Sequence, residues 1–276
     1  MLKCFTFVKI GKMSFKNKVV WVTGASSGIG KATVLALAEK DARLIISSRN
    51  IERLEEVRRR CKDPESIKII QLDLNDYYDL DILVQEAYSL FGSIDILINN
   101  GGISQRSLAI DTEISVDDQI FKTNYFGTVA LSKALLPYFV AKKKGHFVVV
   151  TSVVGKIGTP LRSSYAASKH ALHGFFDSLR AEVHQDNIAV TLICPGFVNT
   201  EISMNALTGD GSPQKSLDKG TANGLAPEYF TKQMLKAIAR KKQEVVIGGK
   251  LEVFAVYAKR FFPRVLANLI RKLDVT

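Results

Sequence analysis

Short runs of almost uninterrupted apolar residues recur along this chain, and segments with helical periodicity separate them. The runs have the length of β-strands and cover residues 18–23, 43–48, 67–72, 94–99, 145–152 and 188–195, with a seventh candidate at 244–249. The helical candidates cover residues 29–40, 50–62, 77–91, 113–141 and 163–186. Strands that are apolar on both faces and alternate with helices are typical of a parallel sheet between two helical layers. We therefore predict one doubly wound α/β domain of the Rossmann type, with a central parallel sheet of about seven strands.

The composition is that of an ordinary globular protein. The chain has 276 residues, of which 46% are hydrophobic and 24% charged, and this length suits one large α/β domain at least as well as two small ones. The net charge is +11, but the basic residues are spread along the chain, with local runs at 58–62, 142–144 and 240–242. We interpret these runs as solvated helix faces and ends. No nucleic-acid-binding motif accompanies them, so we expect no nucleic-acid partner.

The two ends of the chain differ from the central domain, which we place at residues 15–250. Residues 1–14 form an N-terminal extension whose apolar patch is too short for a signal-peptide core. They are either an upstream start, with Met13 as the natural beginning, or a flexible extension. Residues 251–276 form a basic amphipathic segment. Such a segment either lies on an anionic membrane surface or packs, broken near Pro263, on the domain or on a second subunit.

The cysteines and the longest apolar runs bear on the compartment. Cys4, Cys61 and Cys194 are odd in number and far apart, so they predict neither a disulfide framework nor a metal site. No run approaches the ~18 apolar residues that a membrane-spanning helix needs. We therefore expect a cytoplasmic protein, with a membrane-peripheral location as the alternative that the C-terminal segment leaves open.

The first predicted strand runs into the sequence TGASSGIGKA at residues 23–32. Gly24, Gly28 and Gly30 stand at the turn into the next helix, where glycine lets the backbone turn tightly and approach a ligand. The free N–H groups and the dipole of that helix attract an anion. A glycine pattern is a weak signal alone, but directly after the first strand of a βαβ array it predicts a site for a dinucleotide pyrophosphate.

The end of the second predicted strand indicates which dinucleotide is bound. An acidic residue there would hold the adenosine ribose and repel a 2′-phosphate, but this chain has Ser48 and Arg49. A guanidinium group matches a phosphate in charge and geometry. We therefore predict NADP(H) in preference to NAD(H); the alternative is that Arg49 only begins the next helix. Asp73, after the third strand, is either an acceptor for the adenine amine or a helix-start acid.

Tyr165 and Lys169 carry the strongest catalytic signal. They are spaced i, i+4 in the sequence SSYAASKHALHGF at residues 163–175, so they share one face of the predicted helix. A phenol has a pKa of ~10 and is a poor base at neutral pH, but a neighbouring ammonium group lowers that pKa toward the range useful for acid–base catalysis, less the part of the shift that desolvation takes back. Ser152 precedes Tyr165 by thirteen residues, at the predicted end of the fifth strand, where open α/β sheets bind ligands.

A second pair with the same spacing, Tyr138 and Lys142, ends a helix within a lysine run. The residue thirteen positions before Tyr138 is Tyr125 rather than a serine. We therefore interpret this second pair as a solvated helix end.

The other polar residues near Tyr165 are interpreted as structural. His170 lies ~140° around the helix from Tyr165, and His173 lies ~12 Å along it, so both are predicted to be surface or packing histidines. Ser163 and Ser164 are predicted to be helix-start residues whose hydroxyl groups cap free N–H groups.

The motifs taken together resemble one known family. TGASSGIG, NNGG (99–102), Asn124, Ser152 and YAASK (165–169) stand in the order and at the spacings of the short-chain dehydrogenase/reductase family, over roughly residues 15–250. The strings INNGGISQRS, YAASKHALHGFF and ICPG are similar to its branch called dehydrogenase/reductase member 7 and the bacterial relatives of that branch. One departure is Gly101, which replaces the alanine of the usual NNAG; this small change should keep the cofactor-supporting loop intact.

The resemblance implies a role for each matching residue. Tyr165 would give a proton to a ketone or take one from an alcohol, while Lys169 would lower its pKa and hold the nicotinamide ribose. Ser152 would hydrogen-bond the substrate oxygen, and Asn124 would hold the water of a proton relay.

The resemblance also implies a cofactor site. Asn99 would sit against the cofactor, and Thr200 would hold the nicotinamide carboxamide. With the residues argued above, the predicted cofactor-binding set is Thr23, Gly24, Ser26, Ser27, Gly28, Ile29, Gly30, Arg49, Asp73, Leu74, Asn99, Gly101, Tyr165, Lys169, Pro195, Gly196 and Thr200. No metal is expected.

The loop at 197–225 should cover the substrate. Its apolar residues, Ile202, Met204, Ala206 and Leu207, hint at an apolar substrate wall. We predict an NADP(H)-dependent oxidoreductase that interconverts a ketone or aldehyde and an alcohol, on a lipophilic substrate, in a homodimer or homotetramer. The alternatives are a non-catalytic nucleotide sensor or scaffold, and a membrane-peripheral lipid-modifying enzyme of the same fold.

Overall fold

The computed structural model describes residues 13–271. Within them, seven strands form one sheet in the order β3-β2-β1-β4-β5-β6-β7, and every neighbouring pair is parallel. The strands are β1 (Val19–Thr23), β2 (Arg43–Ser48), β3 (Ile67–Gln71), β4 (Ile96–Asn99), β5 (Gly145–Val150), β6 (Ile188–Pro195) and β7 (Glu244–Ile247). This confirms the predicted fold class. The strand order reverses between β1 and β4, and doubly wound sheets bind ligands at such a point.

Helices cover both faces of the sheet. They are α1 (Gly28–Ala38), α2 (Ile51–Arg59), α3 (Leu80–Ser89), α4 (Ile114–Phe121), α5 (Gly127–Lys142), α6 (Ser163–Glu182), α7 (Lys219–Ala222), α8 (Pro227–Ala239), α9 (Lys250–Phe261) and α10 (Pro263–Ile270). One buried cluster joins α1, α2 and α8 to one face, and a second joins α3, α5 and α6 to the other.

The strand sequences explain why both faces are covered. In β1, Val20 and Val22 belong to the first cluster, while Val19 and Trp21 belong to the second. Successive side chains of a strand point to opposite faces, so a strand buried on both sides is apolar at every position. The indole Nε1 of Trp21 donates to Ser47 Oγ at 2.8 Å, which satisfies its polar group inside the core.

The long helix predicted at 113–141 is interrupted. Between α4 and α5, residues Lys122–Phe126 form a π-helical turn that contains Asn124. The Asn124 side chain accepts from Ile103 N at 2.8 Å and donates to Ile103 O at 3.0 Å. The π-helical turn thus coincides with a contact between Asn124 and a residue 21 positions away. A hydrophobic pattern does not reveal such a contact. Such turns are frequent at functional sites.

The ends of the described chain attach to the domain in different ways. Met13 N donates to Ala239 O at 2.9 Å. The C-terminal segment forms α9 and α10, which separate at Pro263, where the sequence predicts a break. The rest of the predicted extension, residues 1–12, and residues 272–276 lie outside the described residues. None of the helices within residues 13–271 is long and apolar enough to cross a membrane.

Candidate active site

A cavity of about 640 Å³ opens along the carboxyl ends of the parallel strands, at the reversal between β1 and β4. The structure brings most of the predicted site residues to its lining: Thr23, Gly24, Ser26, Ser27, Gly28, Ile29, Arg49, Asp73, Leu74, Gly101, Ser152, Tyr165, Lys169, Pro195, Gly196 and Thr200. The predicted residues Gly30, Asn99 and Asn124 are not part of this lining.

The glycine turn after β1 forms one end of the cavity. Gly24 and Gly28 have φ angles of 61° and 50°, which lie in the left-handed region that favours glycine. A Cβ atom at Gly24 would lie 2.7 Å from Gly101 Cα, so a side chain there would separate the turn from the segment after β4. Gly101, which replaces the alanine of the usual NNAG, therefore lies where these two segments touch. A Cβ atom on Gly101 would lie 2.6 Å from Leu74 Cδ1.

Hydrogen bonds hold the glycine turn and the segment after β4 together. Thr23 Oγ1 accepts from Asn100 N and Gly101 N, both at 3.0 Å. The Asn100 side chain donates to Thr23 O at 3.0 Å and to Gly24 O at 3.1 Å. Asn100 also lines the cavity, whereas the sequence analysis predicted that its neighbour Asn99 would lie against the cofactor.

The N-terminus of α1 points its backbone donors at the cavity. Its N-cap residue, Ser27, makes no side-chain capping bond, and the first turn contains no acidic residue. The first N–H groups of a helix have no partner within the helix, and together with the helix dipole they favour an anion. This end of the cavity can therefore bind a phosphate group through backbone donors.

Two arginines stand near the end of β2. Arg49 precedes Asn50, whose side chain accepts from Arg53 N at 2.8 Å and caps α2, so Arg49 lies before the helix rather than in its first turn. Arg53 also lines the cavity, and its Nη1 lies 3.5 Å from Glu201 Oε2, near the start of the loop at 197–225 that is predicted to cover the substrate (the substrate loop). Sequence reasoning missed Arg53, because one arginine on a helix rich in arginine carries no distinguishing signal.

Asp73 likewise lies in a turn rather than at a helix start. Its carboxylate accepts from Asn75 N at 2.9 Å, and α3 begins only at Leu80. The acid therefore stands at the cavity, beyond the end of β3.

Ser152, Tyr165 and Lys169 meet inside the cavity. Ser152 follows the end of β5 by two residues, and its Oγ accepts from Val154 N at 3.2 Å and is hydrogen-bonded to the side chain of Tyr165. Lys169 Nζ donates to Val150 O at 3.1 Å and lies 5.8 Å from the centre of the Tyr165 ring. Both Tyr165 and Lys169 are buried, with relative exposures of 8% and 4%.

The charge environment of Tyr165 differs from the sequence expectation. Burial raises the pKa of its phenol, and the Ser152 hydrogen bond and the charges of Arg106 and Arg162 only oppose that rise. Lys169 was expected to lower this pKa, but its Nζ donates to Val150 O, and Lys169 is not among the groups that lower the pKa of Tyr165. Burial lowers the pKa of Lys169 to about 8, so its ammonium group is still largely protonated at neutral pH.

The three predicted residues that do not line the cavity have internal roles. A Cβ atom on Gly30 would lie 2.1 Å from Gly24 O, so Gly30 allows the turn and helix to pack. Asn99 Nδ2 donates to Ser132 Oγ at 2.9 Å, which places the side chain behind the cavity. Asn124 is fully buried and, besides holding Ile103, donates to Ser168 Oγ at 3.1 Å.

The capping of α6 was predicted wrongly. Ser163 and Ser164 lie in the first turn, and neither hydroxyl group provides the cap. The buried side chain of Gln105 does so, because its Oε1 accepts from Ser164 N at 2.9 Å and from Tyr165 N at 3.3 Å. Gln105 lies 59 residues before Ser164, so no local signal identifies it. It positions the helix turn that carries Tyr165.

The two histidines of α6 contact other structural residues. His170 is exposed, and its Nδ1 lies 2.9 Å from Ala166 O. His173 is buried, with Nε2 at 3.1 Å from Thr151 Oγ1 and Nδ1 at 3.4 Å from Glu244 Oε2. His173, Cys194 and Glu244 form a group with metal-ligating atoms within 4.8 Å. One ring nitrogen of His173 faces Thr151 and the other faces Glu244. We therefore interpret His173 as a buried packing residue, in agreement with the prediction.

Comparison with known proteins agrees with this geometry. A family model described as "short chain dehydrogenase" matches residues 18–210. The chain belongs to the short-chain dehydrogenase/reductase family. Dehydrogenase/reductase SDR family member 7B of Rattus norvegicus is 42% identical over 95% of this chain and 84% of its own length. Dehydrogenase/reductase SDR family protein 7-like of Anopheles gambiae is 41% identical over 99% of this chain and 88% of its own length. The predicted family and branch are confirmed.

Solved structures of the same family share the fold of this short-chain dehydrogenase/reductase. A short-chain dehydrogenase from Streptomyces avermitilis superposes with a TM-score of 0.81 at 25% identity, covering 95% of this chain and 100% of its own. Two more were solved with different cofactors. A family member from Burkholderia phymatum in complex with NAD has a TM-score of 0.80 at 19% identity, covering 96% and 98%. A short chain dehydrogenase from Burkholderia cenocepacia in complex with NADP has a TM-score of 0.77 at 22% identity, covering 95% and 100%.

Proposed function

We propose that this short-chain dehydrogenase/reductase is an NADP(H)-dependent oxidoreductase that interconverts a ketone or aldehyde and an alcohol on a lipophilic substrate. The observation that carries the proposal is that Ser152, Tyr165 and Lys169 share one cavity with the glycine turn. A non-catalytic nucleotide sensor would need the turn but not a buried lysine beside a buried tyrosine. Burying an ionisable group costs free energy, so its presence here favours a chemical role.

The cavity fits a dinucleotide. The glycine turn leaves space that a Cβ atom would fill, and the first turn of α1 offers backbone donors without a side-chain cap. We assign the 2′-phosphate to Arg49 and Arg53. The remaining contacts fall to the cavity-lining members of the predicted set and to Asn100. When bound, the nicotinamide ring supplies or accepts the hydride.

The proton chemistry follows from the raised pKa of Tyr165. With its phenol protonated at neutral pH, Tyr165 is ready to donate a proton to a carbonyl oxygen, and the Ser152 hydroxyl group is placed to hydrogen-bond the same oxygen. Oxidation of an alcohol requires the phenolate, which the positive charges of Arg106 and Arg162 stabilise. We therefore expect carbonyl reduction to be favoured at neutral pH and alcohol oxidation at higher pH.

For Asn124 we propose an indirect role in the proton relay. Its amide is occupied by Ile103 and Ser168, so it acts on the proton path by fixing the Ile103 backbone. Gly102 lies between Asn124 and Lys169. A water held near Lys169 would therefore depend on Asn124 for the shape of its site.

The central experiment measures NADPH-dependent turnover over a panel of ketones and aldehydes. In Tyr165→Phe, turnover should fall by about 10²- to 10⁴-fold while NADPH affinity is kept, because only the proton donor is lost. The matched control is Tyr138→Phe, which removes a hydroxyl group from the other tyrosine with a lysine four residues later. Unchanged turnover in Tyr165→Phe would contradict the acid–base role. Cofactor binding without turnover by wild type would favour the nucleotide sensor.

The NADP(H) preference has its own test. Arg49→Ala should weaken NADPH binding by about 10- to 100-fold and leave NADH binding nearly unchanged, because a charge-assisted contact to the 2′-phosphate is lost. Arg58→Ala is the matched control, since Arg58 lies on α2 and pairs with Glu55. Equal affinity of wild type for the two cofactors would refute the preference.

We also propose that the C-terminal helices contact an anionic membrane surface. Helix α9 has no buried residue and α10 has only Leu266, so these helices pack weakly on their own domain. Seven large apolar residues are exposed on them: Leu251, Phe254, Tyr257, Phe261, Phe262, Val265 and Leu269. Residues 250–271 contain five basic residues and one acidic residue. An anionic lipid surface matches both features, whereas a second copy facing this one across a two-fold axis would oppose like charges.

Vesicle sedimentation tests the membrane contact. Phe254→Ser combined with Phe261→Ser should abolish binding to vesicles that contain phosphatidylserine, whereas the double change Ile110→Ser and Ile114→Ser, at exposed apolar positions elsewhere, should preserve it. Point variants are better than truncation, because Glu252 of α9 accepts from Phe197 N at 2.6 Å beside the cavity. Absence of vesicle binding by wild type would contradict the proposal. Light scattering of the same samples tests the proposed homodimer or homotetramer.

A further inference from the structure

Three charged side chains are buried together beneath the substrate loop. Arg106, Arg162 and Asp218 have side-chain exposures of only 5%, 4% and 1%. None of them was singled out by the sequence motifs. Charged side chains are almost never fully buried unless they are paired, so this cluster calls for a role.

The Asp218 carboxylate is the centre of the cluster. Its Oδ2 accepts from Arg106 Nε at 2.8 Å, from Arg106 Nη2 at 2.5 Å and from Arg162 Nη2 at 3.2 Å, while its Oδ1 accepts from Gln214 Nε2 at 2.9 Å. Burial disfavours ionisation of Asp218, but the hydrogen bonds from Arg106 and Gln214 and the two positive charges outweigh it and hold its pKa below the usual value. The carboxylate therefore stays charged at neutral pH.

The cluster joins three segments that are distant in sequence. Asp218 lies near the end of the substrate loop, Arg106 lies in the segment after β4, and Arg162 is the N-cap residue of α6. Tyr165 follows Arg162 by three residues on the same helix. The cluster therefore ties the cover of the cavity to the start of the helix that carries the proposed proton donor.

Backbone contacts run beside the cluster. Arg106 N donates to Leu207 O at 2.8 Å, and Leu207 N donates to Ser104 O at 2.9 Å. Arg106 Nη1 donates to Ser104 Oγ at 2.8 Å and to Gln105 O at 2.5 Å. Each nitrogen of the Arg106 guanidinium group thus donates to an acceptor within the protein. This is the pattern of a structural arginine rather than of one that binds a ligand.

Among residues 13–271, two guanidinium groups of this cluster face one carboxylate. Within residues 13–271, the charged groups around Tyr165 are Arg106 from the segment after β4, Arg162 and Lys169 from its own helix, and Asp218 behind the arginines. Burial raises the pKa of Tyr165, and Arg106 and Arg162 work against that rise. A phenolate formed by proton donation would be stabilised by the same charge.

We propose that Arg106 is a positioning residue that, through Asp218 and Arg162, latches the substrate loop to the start of α6 and keeps its own positive charge near the Tyr165 side chain. This inference rests on the proposed function for the part that concerns catalysis. The latch itself is a property of the folded chain and is tested without turnover.

The test compares Arg106→Met, Arg106→Lys and the control Arg180→Met. Arg180 is also on α6, near its C-terminal end, and it donates to Val190 O and Gln243 O, far along the helix from Tyr165. In Arg106→Met, hydrogen–deuterium exchange at residues 203–218 should become about tenfold faster or more, because the buried carboxylate loses two of its four hydrogen bonds. Arg106→Lys keeps the charge but not the fork geometry, so its exchange should lie between those of Arg106→Met and wild type.

The second readout is the pH dependence of kcat/KM for carbonyl reduction. The proton donor must be protonated, so activity falls as the pH rises through the pKa of Tyr165. Removing the Arg106 charge raises that pKa, so the alkaline limb should move to higher pH in Arg106→Met and return toward the wild-type position in Arg106→Lys. A merely structural role would not produce this charge-dependent rescue.

The outcomes distinguish failure of the inference about Arg106 from failure of the proposed function. Wild-type exchange rates at 203–218 in Arg106→Met would overturn the latch, and an alkaline limb that is the same in all variants would overturn the electrostatic role. Arg180→Met should match wild type in both readouts; if it shifts them as Arg106→Met does, the effect is one of general stability and the inference is wrong. If wild type turns over no carbonyl substrate, the proposed function fails, and the exchange measurement still decides the latch.

Discussion

At the cofactor end of the cavity, the backbone of one continuous turn makes the lining, whereas at the Tyr165 end, which we call the substrate end, buried side chains from distant segments lie behind the lining and hold it in place. Residues 23–30 supply the glycine turn and the start of α1 within eight consecutive positions. The substrate end depends on Gln105, Arg106, Arg162 and Asp218, of which the first and last lie more than a hundred residues apart. A lining made of closely packed backbone tolerates no added atoms, while a support made of buried polar side chains is sensitive to the loss of a hydrogen-bond partner.

The largest effect is expected from one carbon atom added at the cofactor end. In Gly30→Ala, the new Cβ atom would lie 2.1 Å from Gly24 O and 2.7 Å from Asn100 Nδ2, so the turn must shift. We expect the free energy of unfolding to fall by about 3 kcal/mol, and NADPH binding to be lost. Urea unfolding and fluorescence titration with NADPH measure the two effects.

The control for this substitution is Gly174→Ala. Gly174 lies within α6 with nothing within 4 Å of an added Cβ atom, so alanine should stabilise the protein by about 0.5–1 kcal/mol. If Gly30→Ala and Gly174→Ala gave similar stabilities and NADPH affinities, close backbone packing at the cofactor end would not be what limits substitution there.

The second prediction concerns the free energy that it costs to bury the charge of Lys169. Burial lowers the pKa of Lys169 from 10.5 to about 8, while in the unfolded chain it keeps its ordinary value. Below pH 8 both states are protonated and the full cost of burying the charge is present; as the pH rises from 8 to 10.5, the folded protein has already lost its proton and the cost disappears. The stability of Lys169→Met relative to wild type should therefore decrease by roughly 3 kcal/mol between pH 7 and pH 10.5.

Urea unfolding without cofactor at a series of pH values measures this difference. Turnover should be abolished in Lys169→Met at every pH. A stability difference that does not change with pH would mean that burial does not destabilise the charged form of Lys169, and the contrast between closely packed backbone and buried polar side chains would lose one of its examples.

The third and smallest effect is expected at the cap of α6. Gln105→Leu leaves Ser164 N and Tyr165 N without their acceptor, which should cost about 1–3 kcal/mol of stability. Because the change lies at the substrate end, kcat should fall while NADPH affinity stays at the wild-type value. Gln85→Leu, at an exposed position of α3, should change neither. A parallel loss of NADPH affinity in Gln105→Leu would show that the two ends are not independent.

Much of the fold could be predicted because its signal is local. An apolar run that is buried on both faces shows itself within five or six residues, as in β1 and β5. The limits of the elements were less certain: the fifth strand was predicted to reach Ser152 but ends at Val150. The π-helical turn at Asn124 was missed, because its hydrophobic pattern matches that of a regular helix and its contacts with Ile103 come from another segment.

The residues of the site likewise divide into those with a local sequence signal and those without one. The glycine turn and the Tyr165–Lys169 pair could be recognised, because turn geometry and the i, i+4 spacing are written in neighbouring residues. The capping role of Gln105 could not be, since one glutamine in a loop carries no sign of the helix that it will meet. The electrostatics of Tyr165 were also misjudged: the i, i+4 spacing correctly places Lys169 on its face, but burial raises the pKa, and the charges that oppose this come from Arg106 and Arg162.

The amino-acid sequence by itself determined the order of strands and helices, the turn at the reversal between β1 and β4, and the pair of residues on α6 that face one cavity. These depend on backbone preference and on the period of apolar residues, both of which act over a few neighbouring positions. Only the tertiary structure decided which partners Tyr165, Asp218 and the start of α6 would have. Burial and Coulomb interactions depend on distance in space, and folding alone brings residues 105, 106, 162 and 218 within hydrogen-bonding distance of those groups.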